Sequence, residues 1–247
     1  MTVEESDVRL AVRLATEAGR MLLALQKNGD LAGKALGAEG DRIANAFLVK
    51  SLRELRPQDA LLSEEEADDK GRLSARRVWI IDPLDGTREY GEGRTDWAVH
   101  VALAIDGVAT VGAVALPGLD ATLSSGAPIK LPPPNKPLRM VVSRTRPASE
   151  AVEVAKLIGA DLVPMGSAGA KAMAVVRGEA DIYLHTGGQH EWDNCAPVAV
   201  AEAAGLHVSR VDGSPMRYNN ADTSLPDLLI CRPELADIAL RAVAEKP

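Results

Sequence analysis

Asp82 and Asp85 stand three positions apart in Trp79-Ile80-Ile81-Asp82-Pro83-Leu84-Asp85-Gly86-Thr87. Val78 to Ile81 is β-branched and aromatic, which reads as a strand buried on both faces and ending in the first carboxylate. Pro83 removes a backbone donor, Gly86 lets the chain turn or approach a ligand closely, and Thr87 is placed to open a helix. Two acids and the unpaired N–H groups of a helix start would then share one small space. That set suits a divalent cation holding a phosphate, with carboxylates on the metal and N–H groups on phosphate oxygens. The same residues also make an ordinary turn, because Asp, Pro and Gly favour turns on conformational grounds.

Further acids occupy similar settings. Glu64 follows the apolar run Ala60-Leu61-Leu62-Ser63, at the head of Glu64-Glu65-Glu66. Asp41 precedes a helical pattern in Ile43, Phe47, Leu52 and Leu55, and Asp193 precedes a helix rich in Ala and Val. Taken singly, Asp41 and Asp193 read as helix N-caps and the Glu run as a solvated loop. Taken together, these strand and helix ends crowd like charges, each raising the others' pKa unless cations neutralise them. Oxygen ligands without His or Cys select Mg²⁺ over zinc.

The elements that position these acids follow from periodicity. Leu10, Leu14, Ala18, Met21, Leu22 and Leu25 mark a long amphipathic helix, and the glycine-rich stretch 29–40 reads as a loop before the helix at Asp41. After the central motif, residues 97–105 and 108–116 read as strands joined by the hairpin pair Asp106-Gly107, with 121–125 a third. The proline-rich stretch 128–137 reads as a linker between an N-terminal α+β subdomain (1–127) and a C-terminal α/β subdomain (138–247). In the second half, strands at 139–143, 162–165, 180–184, 206–210 and 228–231 alternate with helices at 149–158, 167–177 and 193–204. A last helix begins near Pro233.

Composition bounds the function. A chain of 247 residues, 46% of them hydrophobic, buries a substantial core. A formal charge of −7 argues against nonspecific nucleic-acid binding or an anionic membrane surface, although cations and a local basic cluster can reverse the sign inside a cleft. Cys195 and Cys231 are too few for a disulfide framework or a cysteine zinc site. Residues 1–7 show no basic region followed by an apolar stretch, and the expectation is a reducing cytoplasm. His100, His185, His190 and His207 share no ligand spacing, but His190 is close to Asp193 and is a candidate substrate contact. Trp79 and Trp192 read as core residues.

Glu64-Glu65, Asp82-Pro83-Leu84-Asp85-Gly86-Thr87 and Trp192-Asp193 with the following Ala-Pro resemble the signature segments of the inositol monophosphatase superfamily of Mg²⁺-dependent, lithium-sensitive phosphatases. The resemblance covers nearly the whole chain. Ser143-Arg144-Thr145 and Gly166-Ser167 with Lys171 look like its CysQ branch, most of all the actinobacterial type, which removes the 3′-phosphate of 3′-phosphoadenosine 5′-phosphate. The resemblance implies an α/β fold, a layered αβαβα sandwich, and a homodimer.

It also implies roles, position by position. Glu64, Asp82 and the Leu84 carbonyl would hold a first Mg²⁺, and Asp82, Asp85 and Asp193 a second. Glu64 and Asp41 would reach a weaker third, but the family's usual Thr is here Ala38, with Lys34 seven residues before Asp41. Asp41 and Thr87 would orient the attacking water, and the Gly86 and Thr87 N–H groups would bind phosphate. Ser143, Arg144, Thr145, Gly166, Ser167 and Lys171 would bind substrate, with Arg144, Lys171 and Arg217 candidates for the 5′-phosphate and Tyr218 for the adenine. The implied activity is that of a 3′(2′),5′-bisphosphate nucleotidase, with Li⁺ as inhibitor. The same core also serves inositol monophosphate or fructose 1,6-bisphosphate, and a non-catalytic phosphonucleotide-binding protein is the alternative from another class.

Overall fold

In β2 (Arg77–Asp85), alternate residues face opposite ways, and both faces are apolar. Trp79 and Ile81 pack with Leu10, Leu14 and Leu22 of α1 (Asp7–Asn28) and Ala44, Leu48 and Leu52 of α2 (Gly33–Leu55). Val78 and Ile80 belong to a different core, shared with two helices of the second half. A strand covered on both sides needs a continuous apolar run, which is what 78–81 supplies. Asp82 follows in the parity of Val78 and Ile80. The structure is a computed structural model and describes residues 5–68 and 70–244.

The first sheet has the order β1-β2-β3-β4-β5, from β1 (Ala60–Ser63), β2, β3 (Ala98–Ile105), β4 (Val108–Leu116) and β5 (Ala121–Ser124). β1 runs parallel to β2, and the other pairs are antiparallel. A short helix, α3 (Thr87–Gly91), follows β2. The second sheet has the order β7-β6-β8-β10-β9, from β6 (Arg139–Ser143), β7 (Asp161–Met165), β8 (Ile182–His190), β9 (His207–Ser209) and β10 (Ser224–Cys231).

Between the sheets lie α5 (Ala168–Val176) and α6 (Glu191–Ala203), whose Ala, Val and Met side chains join one core with the inner faces of both. The outer face of the second sheet is covered by α4 (Ser149–Ile158) and α7 (Ala236–Ala244). The layers are therefore α1/α2, sheet, α5/α6, sheet, α4/α7, the expected αβαβα order. Small side chains on α6 let it lie close to β4, where a Cβ on Gly112 would come within 2.4 Å of the Ala196 carbonyl oxygen. Residues 128–137 form neither helix nor strand, and buried Asp181 fastens their end. Its carboxylate accepts from the Asn135 and Arg139 N–H groups and from Arg232 Nε, at 3.1, 2.9 and 2.8 Å. Among the described residues no helix is long and apolar enough to cross a membrane.

Several element boundaries differ from the sequence reading: β8 and β10 are longer than the strands read at 180–184 and 228–231, and three differences bear on the acids. β2 does not stop at Asp82 but continues to Asp85, the irregularity at Pro83 being taken up by a register shift against β3. α2 begins at Gly33, so Asp41 lies inside a helix and is not an N-cap. The glycines that suggested a loop are contact residues: a Cβ on Gly37 would lie 2.7 Å from Thr87 Cγ2, and one on Gly40 would lie 2.9 Å from Tyr90 Cε1. Asp193 sits in the first turn of α6, two residues beyond its start, and its carboxylate accepts from the His190 N–H at 2.5 Å.

The close approach of α6 to β4 is open to test. Gly112→Ala should lower stability by about 2 kcal/mol through overpacking, read as a lower urea midpoint at unchanged slope.

Candidate active site

β2 delivers two acids to one end of the first sheet, and α6 delivers a third from the second half. Carboxylate oxygens of Asp82, Asp85 and Asp193 lie within 4.8 Å of one another. Asp82 and Asp85 are buried, and Asp193 is half-buried. Glu64, just past the end of β1, stands at the solvent edge of the same cluster.

The three clustered acids are not equivalent. Asp85 is surrounded by donors from the second half: Oδ1 accepts from Ala168 N at 3.1 Å, and Oδ2 accepts from Gly169 N at 2.6 Å and from the Ser167 hydroxyl. His100, fully buried on β3, places Nε2 3.3 Å from the same oxygen and Nδ1 3.0 Å from the Trp192 carbonyl. Burial alone would raise the Asp85 pKa, but His100, Ser167 and the Lys171 charge outweigh it and bring it down to about 2. Both His100 nitrogens face acceptors, and although burial disfavours its charge, Asp85 raises its pKa.

Asp82 has no cationic side chain of this kind. Its Oδ1 accepts from Leu84 N at 3.0 Å, and burial, then the charges of Glu64, Asp85 and Asp193, push its pKa well up. Burial and Asp85 raise Asp193 to about 6, and partial desolvation and Asp193 raise Glu64 to about 7. A buried all-oxygen cluster with more negative charge than its surroundings balance fits a hard divalent cation. Asp82, Asp85 and Asp193, with Glu64 beside them, are the residues that would hold Mg²⁺.

Asp41 of α2 and Thr87 at the start of α3 meet beyond the end of β2. Thr87 Oγ1 lies 3.4 Å from Asp41 Oδ1 and 3.1 Å from the Leu84 carbonyl oxygen. Burial and the charge of Glu65 raise Asp41 to about 7. Gly86, at a φ of 93°, takes the left-handed conformation that ends β2 and starts α3.

Beyond the acids opens a cavity of about 510 Å³, lined by Asp85, Gly86 and Asp193 and by Ser143, Thr145, Arg146, Lys171 and His185 among others. Gly166 and Ser167 also line it, but the Gly166 N–H is held by Asp96 Oδ2 at 2.7 Å and the Ser167 hydroxyl by Asp85. Lys171 is buried, donating to the Gly166 carbonyl at 3.3 Å and to that of Ser167, with Nζ 5.4 Å from the Tyr183 ring centroid. It is not a solvated charge.

Four candidates fall away and one neighbour replaces them. Tyr218 does not border the cavity: its ring is in the core behind α6, and its hydroxyl donates to Asn194 Oδ1 at 2.9 Å. Arg144 is held outside the cavity wall by Glu89 and Glu92, both at 2.8 Å. Arg217 is exposed and likewise absent from the lining. Arg146, two residues on from Arg144, lines the cavity and forms no ion pair among the described residues. His190 stacks on Trp192 with ring centroids 4.7 Å apart and is not part of the cavity wall. His100, Arg146 and His185 had no sequence signal; their neighbours come from distant parts of the chain.

The inositol monophosphatase family model matches residues 4–245. The chain belongs to the inositol monophosphatase family. Within that family it is 50% identical to a 3′-phosphoadenosine 5′-phosphate phosphatase of Mycobacterium leprae, over 98% of this chain and 95% of the relative. It is 49% identical to the protein of the same name from Mycobacterium tuberculosis, over 93% of this chain and 90% of the other. The 3′(2′),5′-bisphosphate nucleotidase CysQ of Escherichia coli is 29% identical, over 75% and 80%. Among solved structures, the fold matches an inositol monophosphatase from Anabaena (TM-score 0.77, 23% identity, 100% and 98% covered). It also matches CysQ from Bacteroides thetaiotaomicron (TM-score 0.78, 24% identity, 90% and 95% covered).

The charge excess at Asp82 makes metal removal informative. Mg²⁺ at a hundredfold excess over its Kd should stabilise the protein by about 2.7 kcal/mol. Asp82→Asn should melt higher than the parent without metal, because it relieves repulsion, and should lose the Mg²⁺-induced rise. A rise of parental size in the variant would remove Asp82 from the cation site.

Proposed function

We propose that this chain is a Mg²⁺-dependent 3′(2′),5′-bisphosphate nucleotidase, converting 3′-phosphoadenosine 5′-phosphate to AMP and phosphate. The observation that carries the reading is a cavity whose wall combines carboxylates, suited to a cation and a scissile phosphate, with the basic Arg146, which forms no ion pair among the described residues. A substrate with two phosphates matches both features. The mycobacterial relatives, similar over nearly the whole chain, carry the name of that activity.

Hydrolysis forms a bond from water oxygen to phosphorus, breaks the bond from phosphorus to the 3′-oxygen, and leaves a proton on that oxygen. When bound, Mg²⁺ supplies the positive charge that makes water nucleophilic near neutral pH and stabilises the departing oxygen. The chain's own residues do the rest. Asp82, Asp85 and Asp193, with Glu64 and the Leu84 carbonyl, hold the charge in place. Thr87 passes a hydrogen bond towards Asp41, and an Asp41 carboxyl with a pKa of about 7 holds or releases a proton near neutrality. Ser167, Ala168 and Gly169 keep Asp85 ionised and fixed. Lys171 adds a buried positive charge behind Asp85 and orders the Gly166–Ser167 carbonyls. Ser143 fixes the backbone at Arg146 by accepting from the Arg146 N–H at 3.2 Å. Two Mg²⁺ per site, inhibition by Li⁺, a homodimer and cytoplasmic residence belong to the same proposal and rest on family membership.

A panel of phosphorylated substrates assayed for phosphate release tests the assignment. Arg146→Ala should cost about 2–3 kcal/mol in kcat/KM for 3′-phosphoadenosine 5′-phosphate, the scale of a charge-assisted contact. It should leave inositol 1-phosphate almost unchanged, since that substrate has no second phosphate. Lys171→Ala should cost both substrates, because it also loosens the loop that holds Asp85. Equal losses on both substrates for Arg146→Ala would return the assignment to a general sugar phosphatase.

A further inference from the structure

Glu191 opens α6 two residues before Asp193 and is completely buried, yet it borders no cavity wall of the active site. Its carboxylate is filled by one loop: Oε2 accepts from Asn219 N at 2.7 Å, and Oε1 from Asn220 N at 2.7 Å and Asn220 Nδ2 at 2.8 Å. Asn219 holds a positive φ of 62° and turns its side chain the other way, onto Arg72. Arg72 Nη1 donates to Asn219 Oδ1, and Asn219 Nδ2 donates to the Arg72 carbonyl, both at 2.9 Å. The remaining guanidinium edge is spent on Asp68, with Nε at 3.1 Å and Nη2 at 2.7 Å. Arg72 is itself buried.

These contacts join two stretches far apart in sequence. Asp68 and Arg72 lie in the segment between β1 and β2 that begins with Glu64; Asn219 and Asn220 lie between β9 and β10 and grip the first turn of α6. Burying a carboxylate and a guanidinium costs free energy that good geometry only partly returns, so such a network is a poor device for stability alone. What it does is fix position. None of its residues lines the cavity; along the chain one end is two residues from Asp193 and the other four residues from Glu64.

We propose that Arg72 and Asn219, acting through Glu191, are positioning residues for the cation site: they hold Asp193 at its distance from Glu64 and Asp82. The proposal rests on the reading of those acids as the Mg²⁺ site. Partners one shell outside a metal's ligands typically change its affinity by ~10–100-fold when removed.

Calorimetric titration of Mg²⁺ into substrate-free protein is the test, with kcat measured in parallel at saturating Mg²⁺. Asn219→Gly keeps the backbone conformation and the N–H to Glu191 but deletes the link to Arg72; Arg72→Lys keeps charge without the fork. Both should weaken Mg²⁺ binding about tenfold and raise the Mg²⁺ concentration for half-maximal rate in step. The rate at saturating Mg²⁺ and the KM for substrate should stay near parental values. Val154→Ala, destabilised in the outer core under α4 and away from α6, should bind Mg²⁺ as the parent does. Parental Mg²⁺ affinity in Asn219→Gly, or an equal loss in Val154→Ala, overturns the proposal. A parent that binds no Mg²⁺ overturns instead the reading of the acids.

Discussion

Carboxylates in a low-dielectric space repel one another, and everything around this site is arranged to hold three of them together regardless. Asp82, Asp85 and Asp193 bring oxygens within 4.8 Å. The protein resolves the conflict unevenly. It surrounds Asp85 with backbone donors, a hydroxyl and an imidazole, which keeps that group ionised. It gives Asp82 little beyond the Leu84 N–H, which leaves that group in want of a cation. One acid is thus a fixed charge and its neighbour an uncompensated one, and this difference suits the cluster to a cation.

The layered fold exists to bring these groups to one place from separated stretches of chain. Parity along β2 and β3 sends Asp82 and His100 to the same side as Val78, Ile80, Ala98 and Ala102, which is the side covered by α5 and α6. The starts of those two helices then meet the end of β2, α5 by donating to Asp85 and α6 by presenting Asp193. Gly169 on α5 has no room for a side chain, since a Cβ there would fall 2.0 Å from His100 Nε2. Packing of the central helical layer and geometry of the acids are therefore a single property.

Much of this was legible beforehand, and for definable reasons. The β2 run, the hairpin at Asp106-Gly107 and the alternating second half are local patterns with the right period, and they appear where expected. The acids at strand and helix ends were visible because a polar residue closing an apolar run has few other roles. The failures share a cause, which is contact across the fold. Gly37 and Gly40 look like loop residues until Thr87 and Tyr90 are seen against them. Tyr218 looks like a free aromatic until Asn194 takes its hydroxyl. Arg144 and Arg146 are indistinguishable in sequence, but only Arg144 has Glu89 and Glu92 beside it. Lys171 sits in an Ala-rich helix that gives no hint of the acids beneath it.

The pairing of Asp85 with the start of α5 also sets an order in time. Ser167 follows Asp85 by 82 positions (167 − 85), so during synthesis at about 5–20 residues per second it emerges roughly 4 to 16 s later. Through that interval Asp82 and Asp85 stay hydrated, with their ordinary acidity and no repulsion to overcome. Over the same seconds the inner face of the first sheet, with Val78, Ile80, Ala102 and Val114, has no α5 or α6 to cover it. The nascent first half is an apolar sheet with a water-exposed acidic rim, and its period of greatest exposure to unwanted association ends only when the second half arrives and closes over it.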